Sequence, residues 1–533
     1  MFAMIERFSR RDFARTGAAA TLAALLPQGV FGDSAAKKKA VIHADSEIGT
    51  VRPEFHGHFA EHLGSCVYGG IWVGPKSPIE NVEGFRKAAV DYLKELGVPV
   101  LRWPGGCYAD DYHWREGIGP VAKRPKRVNI WWGNYVEDNS FGTHEFIRFC
   151  RLIGAEPYFA ANVGSGSPRE MRDWIEYCNF PSGSALADER AANGSPEPFR
   201  VKYWGVGNEA WGCGGNYRPD GAGAEFRRYA NYARAFGDTK PYLIGCGPGG
   251  NDAKWTRGFM DALAGSRLPD GYSFHYYENG DHPPLQYTEH AAMAQMNTFR
   301  AVEQAIIDQR ELLDSYDRGR GIGLFLDEWG VWDRIPKADQ DRNGALWQQS
   351  TMRSAVAAGL GLNIFNRQAD KLYMCNIAQM VNVLQSVLLT DGPEGKNCVR
   401  TTTYYAFMLF KAHRGKTAVR VDGGGVSESG PNILDSEVMP VPSISASRKG
   451  SELVVSLVNP RTDDDMDVEC RLRGARAKQG RAQILHDSDL NAYNSFDHPD
   501  RVTIQPHEVA VEPDRMRITL PAMSVATVTL EVE

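Results

Sequence analysis

The feature that most constrains this chain is an alternation of strand and helix patterns that repeats across roughly 350 residues, long enough for eight βα units. A short apolar run closed by glycines starts at Val201, and similar strand patterns recur at residues 55–63, 99–106, 155–164, 241–245, 272–277, 323–330 and 362–366. Runs of this length without a polar face read as strands covered on both sides. Between them, apolar residues at helical spacing predict helices at 83–96, 143–153, 169–178, 224–236, 252–263, 291–313 and 345–358. In the first of these, Phe85, Ala88, Ala89, Tyr92, Leu93 and Leu96 share a face, and Gly97 ends the pattern. The prediction is an α/β fold, a (β/α)8 TIM barrel with long loop insertions over residues 53–400. A doubly wound sheet is the alternative. Residues of chemical interest follow most of the strands rather than cluster at one crevice, which favours the barrel.

After about Thr401 the pattern changes. Residues 453–458, 482–485, 502–504, 516–520 and 524–530 are short, β-rich and separated by turn residues. They predict an all-β sandwich over residues 401–533. A lone strand at 40–45, within residues 37–52 and followed by no helix, is expected to join it. Ahead of it, residues 1–36 read as a twin-arginine signal peptide. Arg10 and Arg11 lead an Ala-rich apolar stretch at 16–26, and Ser34-Ala35-Ala36 supplies small residues for cleavage. That predicts export to a periplasmic or secreted location, with no membrane attachment after processing, since the stretch is too short for a permanent span.

The net charge is −6 with no basic stripe, which excludes nucleic acid as the natural partner. The 12 Trp and 21 Tyr include several in expected loops, which suits stacking on sugar rings. Nine cysteines form no CxxC or Cys/His spacing. Neither a metal centre nor a disulfide framework is indicated, so reduced, buried thiols are expected.

The strand that begins at Val201 runs into Gly207-Asn208-Glu209, with further glycines at 212, 214 and 215, and the run at 323–330 ends similarly in Asp327-Glu328. In a parallel sheet the carboxyl ends of the strands carry the chemistry. A single Glu there often serves only as an ion-pair partner. Two carboxylates in matching positions point to glycoside hydrolysis by an acid and a nucleophile or base.

The segments GHFAEHLG (57–64), LRWPGG (101–106), YHWREGIGP (112–120), GVGNE (205–209), SFHYY (273–277), LDEWGVW (326–332) and NIAQMVNV (376–383) together resemble glycoside hydrolase family 51, chiefly α-L-arabinofuranosidases. The resemblance implies a retaining enzyme with a (β/α)8 barrel and a jelly-roll built from both chain ends. It further implies Glu209 as acid/base, Glu328 as nucleophile, and Asn208 as a hydrogen-bond partner of the sugar 2-hydroxyl. Glu61, Arg102, His275, Tyr277 and Gln379 match positions that hold the furanose or the nucleophile, with Tyr276 competing with Tyr277 for its place. Cys107 stands where many members have a sugar-binding Asn, and a small neutral thiol there is expected to contribute little. The loop over residues 108–140, with Trp114, Trp131, Trp132 and Tyr135, reads as a platform for substrate or aglycone.

The expected function is cofactor-free, metal-free removal of terminal α-L-arabinofuranosyl residues from hemicellulose or pectin side chains or arabino-oligosaccharides. An endo-β-glucanase or β-xylosidase on the same scaffold is the enzymatic alternative, and a non-catalytic carbohydrate-binding protein the other. The expected partner is an arabinofuranose-containing oligo- or polysaccharide. Related enzymes are often multimers, so a homo-oligomer stays open.

Overall fold

The computed structural model describes residues 38–392, 394–423 and 442–533. The expected signal segment lies outside them. Among the described residues no helix is long and apolar enough to cross a membrane.

Eight parallel strands close into a barrel: Gly57–Phe59, Val100–Trp103, Glu156–Ala161, Tyr203–Val206, Tyr242–Gly245, Gly271–Asn279, Gly323–Trp332 and Leu372–Ala378. The eighth pairs with the first and completes the ring. Seven strands fall where the sequence predicts them, and the eighth does not. Residues 362–366 belong to the helix Met352–Arg367, which is buried at every position from Met352 to Asn366. One side of this helix meets the barrel and the other meets the all-β domain: a Cβ on Gly361 would strike Trp329 of the seventh strand, and one on Gly359 would strike Val458. A helix covered all round has no polar stripe, so its apolar run reads as a strand.

Two other boundaries differ from expectation. The helix expected at 291–313 is two, Glu289–Phe299 and Val302–Tyr316. The change to β structure comes at Thr417 rather than at Thr401, because Thr402–Phe410 forms a further helix. It packs against Met352–Arg367 on one side and Lys87–Leu96 on the other, closing the helical ring around the barrel.

The all-β domain is one continuous order of ten strands. Its core is separate from that of the barrel and includes Ile42, Val419, Ile444, Val455, Ile518 and Val528. The strand Lys38–Thr50 lies inside this order, antiparallel to Thr417–Asp422 and parallel to Met466–Arg473.

Inside the barrel, side chains form layers. Val100, Tyr158, Tyr203, Ile244, Phe325 and Met374 make an apolar floor. Alternate residues of a strand face the same side. Two residues further along three of these strands, Arg102, Asp327 and Asn376 therefore stack on that floor, all buried. The polar layer is held apart from water below by the apolar one and opens only toward the carboxyl ends of the strands.

Candidate active site

Glu328 owes its inward position to a break in register. Between the sixth and seventh strands Phe274 faces Leu326, but His275 faces Glu328, so Asp327 is an extra residue on its strand. A bulge of this kind re-aims a side chain. Phe325 and Asp327 point inward by ordinary alternation, and the bulge turns Glu328 inward as well.

Asp327 then anchors the polar layer. It accepts hydrogen bonds from Tyr158 Oη at 2.7 Å and Asn376 Nδ2 at 3.0 Å, and Arg102 Nε lies 3.6 Å away. Arg102 in turn donates to Glu328 Oε1 at 2.6 Å and to Asn208 Oδ1 at 2.7 Å, with its guanidinium over the Phe59 ring at 4.5 Å. A planar fork with several fixed donors suits this post, which a point charge could not fill.

Glu209 reaches the same space by a different device. Gly207 takes φ 85° and Glu209 φ 38°, which turns the chain sharply at the end of the fourth strand. Buried Asp110 holds the turn from beside it, its carboxylate accepting the backbone N–H of Asn208 at 2.9 Å and those of Val163 and Gly164 at 2.7 and 2.8 Å. Gly214 closes the loop from above, where a Cβ would lie 1.7 Å from the Asn208 carbonyl oxygen.

His275 connects the two glutamates. Its Nδ1 is 3.0 Å from Glu209 Oε1 and 3.6 Å from Glu328 Oε2. One carboxylate oxygen from each glutamate and the imidazole nitrogen lie within 4.8 Å of one another. Tyr277 donates to Glu328 Oε2 at 2.8 Å, and alternation turns its neighbour Tyr276 to the outer side of the strand. On the far wall, Gln379 Nε2 donates to Glu61 Oε1, and Glu61 Oε2 is buried without a partner.

The charges set distinct environments. Burial alone would raise the Glu328 carboxyl, but the charges of His275 and Arg102, with the hydrogen bonds from Arg102 and Tyr277, outweigh it and hold the group below its ordinary range. Burial disfavours a charged imidazole at His275, yet the facing carboxylates prevail and raise it. At Glu61 the Gln379 hydrogen bond and the more distant Arg102 charge are too weak to offset burial. Burial and the Glu328 charge push its carboxyl well up.

The structure thus brings together Glu61, Arg102, Asn208, Glu209, His275, Tyr277, Glu328 and Gln379. Cys107 is also present, but not as a free thiol. It forms a disulfide with Cys213, 106 residues away. This corrects the expectation of reduced thiols throughout; the other seven cysteines are free. The short helix Cys107–Asp110 after the second strand and the glycine-rich turn after Glu209 meet over the barrel mouth, and no spacing rule links positions so far apart. The loop platform is corrected in part. Trp114 is buried and stacked parallel to Trp174, so it is core, whereas Trp131 and Trp132 are half-buried and Tyr135 is exposed. Sequence reasoning missed Asp110, which holds the Asn208 backbone, and Tyr158 and Asn376, which hold Asp327 beneath Arg102. It also missed Trp211, 38 % exposed and two residues beyond Glu209, for which an aromatic next to a strand-end carboxylate was the available signal.

Two groups could hold a metal ion among the described residues: Glu209, His275 and Glu328, and Cys107, Glu209 and Cys213. Two carboxylates this close, one held ionised, can act on the two faces of a single bond.

Known proteins share this arrangement of domains. The family profile described as Alpha-L-arabinofuranosidase 1 domain matches residues 92–295, and that of the Alpha-L-arabinofuranosidase C-terminal domain matches residues 327–524. An intracellular exo-alpha-L-arabinofuranosidase of Bacteroides ovatus is 41% identical over 506 residues, covering 93% of this chain and 96% of its own length. Among solved structures, the GH51 arabinofuranosidase of Xanthomonas axonopodis pv. citri superposes with a TM-score of 0.87 at 36% identity, over 93% of this chain and 100% of that one. The alpha-L-arabinofuranosidase of Thermotoga maritima, solved as an arabinose complex, gives a TM-score of 0.80 at 29% identity, over 92% of this chain and 99% of that one.

Proposed function

Since the chain belongs to the α-L-arabinofuranosidases of glycoside hydrolase family 51, we propose that it removes terminal non-reducing α-L-arabinofuranosyl residues from hemicellulose or pectin side chains or arabino-oligosaccharides, with retention of configuration. The observation that carries the stereochemistry is the proximity of a Glu209 oxygen to a Glu328 oxygen, within 4.8 Å. Direct attack needs carboxyl groups about 5–5.5 Å apart, whereas an inverting water needs roughly 6.5–9.5 Å.

Glu328, kept ionised by Arg102, His275 and Tyr277, attacks the anomeric carbon. Glu209 gives its proton to the departing oxygen, then takes one from the water that releases the sugar from Glu328. Asn208, oriented by Arg102, is placed for the 2-hydroxyl next to the reacting carbon, where a contact strengthens as positive charge develops. Glu61 and Gln379 form the opposite wall and bind the remaining hydroxyls. A non-catalytic sugar-binding protein would have no use for one carboxylate held ionised 3.6 Å from the imidazole that also touches the second.

The expectation of export is corrected. The Bacteroides ovatus relative, matched over 93% of this chain, is named as an intracellular enzyme.

The test is a panel of aryl α-L-arabinofuranosides, β-xylosides and β-glucans, with NMR of the first-formed product. Release of α-arabinofuranose, and activity confined to the arabinofuranosides, supports the reading. Initial release of the β-anomer, or a preference for glucan, overturns it.

A further inference from the structure

The Cys107–Cys213 pair has no part in the hydrolysis derived above, yet it sits against the group that does. Cys213 Sγ lies 3.7 Å from Glu209 Oε2, and both sulfurs and a Glu209 oxygen lie within 4.8 Å of one another. All three residues are only partly buried, so small solutes reach them. Two sulfurs on backbones 5.4 Å apart at Cα, with a carboxylate beside them, are the donor set of a thiophilic divalent cation. Metal–sulfur bonds of about 2.3 Å and metal–oxygen bonds of about 2.0–2.2 Å would place tetrahedral ligands roughly 3.5–4 Å apart; Cys213 Sγ and Glu209 Oε2 already stand at 3.7 Å, and reduction frees the two bonded sulfurs to separate by a side-chain rotation.

We propose that reduction of this disulfide turns the mouth of the active site into a Zn2+ or Cd2+ site formed by Cys107, Cys213 and Glu209, and that the bound ion silences the enzyme. A phosphine reductant opens the bond with balanced chemistry. The phosphine takes oxygen from one water and becomes a phosphine oxide, and two thiols form. The cation then displaces both thiol protons, and the two thiolates and the Glu209 carboxylate coordinate it. Glu209 so engaged cannot carry a proton to a leaving group. With the disulfide closed the sulfurs bind each other and the site does not exist. The silencing rests on Glu209 as acid/base, whereas the binding does not.

The experiment treats the full chain with a phosphine under anaerobic conditions, adds Cd2+, and follows the thiolate-to-cadmium ultraviolet absorption together with turnover of an aryl arabinofuranoside. One Cd2+ per chain, a fall in activity of more than about tenfold, recovery with a chelator, and no effect on the oxidised enzyme are expected. Cys107→Ser, with each activity read against its own metal-free value, should lose the absorption and the sensitivity. Equal sensitivity of the oxidised and reduced enzymes, or unchanged absorption in Cys107→Ser, overturns the site. Cadmium bound with full activity retained overturns the silencing, and the leaving-group dependence of Glu209→Ala tells separately whether the acid/base assignment has failed.

Discussion

Tyr277 donates its phenolic hydrogen to Glu328 Oε2 across 2.8 Å, on the strand adjacent to that of the glutamate. This bond is one of several influences that keep Glu328 ionised against the cost of burial. Tyr277→Phe removes a contribution that favours the charged form and leaves the burial in place, so the Glu328 carboxyl rises. The acid limb of kcat/KM should move to higher pH, read from a pH–rate profile on an aryl arabinofuranoside. Stability follows the same sign. A depressed carboxyl contributes fully above its ordinary value of 4.5 and loses that contribution as pH falls through the folded value, so the variant, with less depression to lose, should show a smaller acid loss of stability that is complete at a higher pH than in the parent. An unmoved limb would mean that Glu328 does not limit the reaction at low pH.

The two glutamates should separate by leaving group. Glu328→Ala should abolish turnover of every substrate. Glu209→Ala should lose about 10²–10⁴-fold on sugar and alkyl leaving groups. It should still form the glycosyl-enzyme from an aryl arabinofuranoside whose leaving group needs no proton, and added azide should speed its second step. Identical leaving-group dependence in the two variants contradicts the assignment.

Asp110 gives a stability signature. Burial raises its carboxyl from 3.8 to about 7, against the backbone N–H bonds it accepts. A raised folded value favours the neutral form, so the contribution is complete below pH 3.8 and is lost as pH climbs toward about 7. Asp110→Asn should flatten the fall in unfolding free energy across that window, measured by urea titration at a series of pH values. It should also lower kcat, because an amide cannot accept all three backbone bonds with both of its heavy atoms.

Arg102 is buried among Asp327, Glu328 and Asn208. Arg102→Met leaves two buried carboxylates without their cation and should cost about 3–5 kcal/mol of stability. Arg102→Lys should restore part of the stability in urea but little of the activity, since one ammonium cannot serve Glu328 and Asn208 with the geometry of the fork.

Trp211 stands exposed beyond Glu209, its ring against Gly249. If it stacks on the sugar next to the cleaved one, Trp211→Ala should raise KM for arabino-oligosaccharides by about five- to a hundredfold, the value of one stacking contact. KM for a small aryl arabinofuranoside should change little. Equal losses on both would assign the ring to the framework.

The strands from Gly57 to Trp332 were legible because each is a short apolar run that the barrel buries on both faces, and Glu209 and Glu328 stood out because each such run ended in an acid. The eighth strand was not, because the helix before it is enclosed by two domains and has no polar stripe to distinguish it. The inward turn of Glu328 depends on the one-residue bulge at Asp327, and a bulge leaves no trace in composition. Asp110 looked like one acid among several in a loop; only the fold aims it at the backbone of Asn208. The Cys107–Cys213 bond belongs to the same class, a contact made by two loops that are distant in sequence and adjacent only once the barrel closes.

Lys38–Thr50 leads the barrel in sequence, yet both of its partner strands, Thr417–Asp422 and Met466–Arg473, follow it. On a ribosome adding about 5–20 residues per second, this strand waits roughly 20 to 70 seconds for its first partner. Throughout that interval it presents a free edge while the barrel assembles beside it. The all-β domain therefore cannot close before the residues of the barrel have all been made, and until then its first strand has an edge open to pairing with other chains.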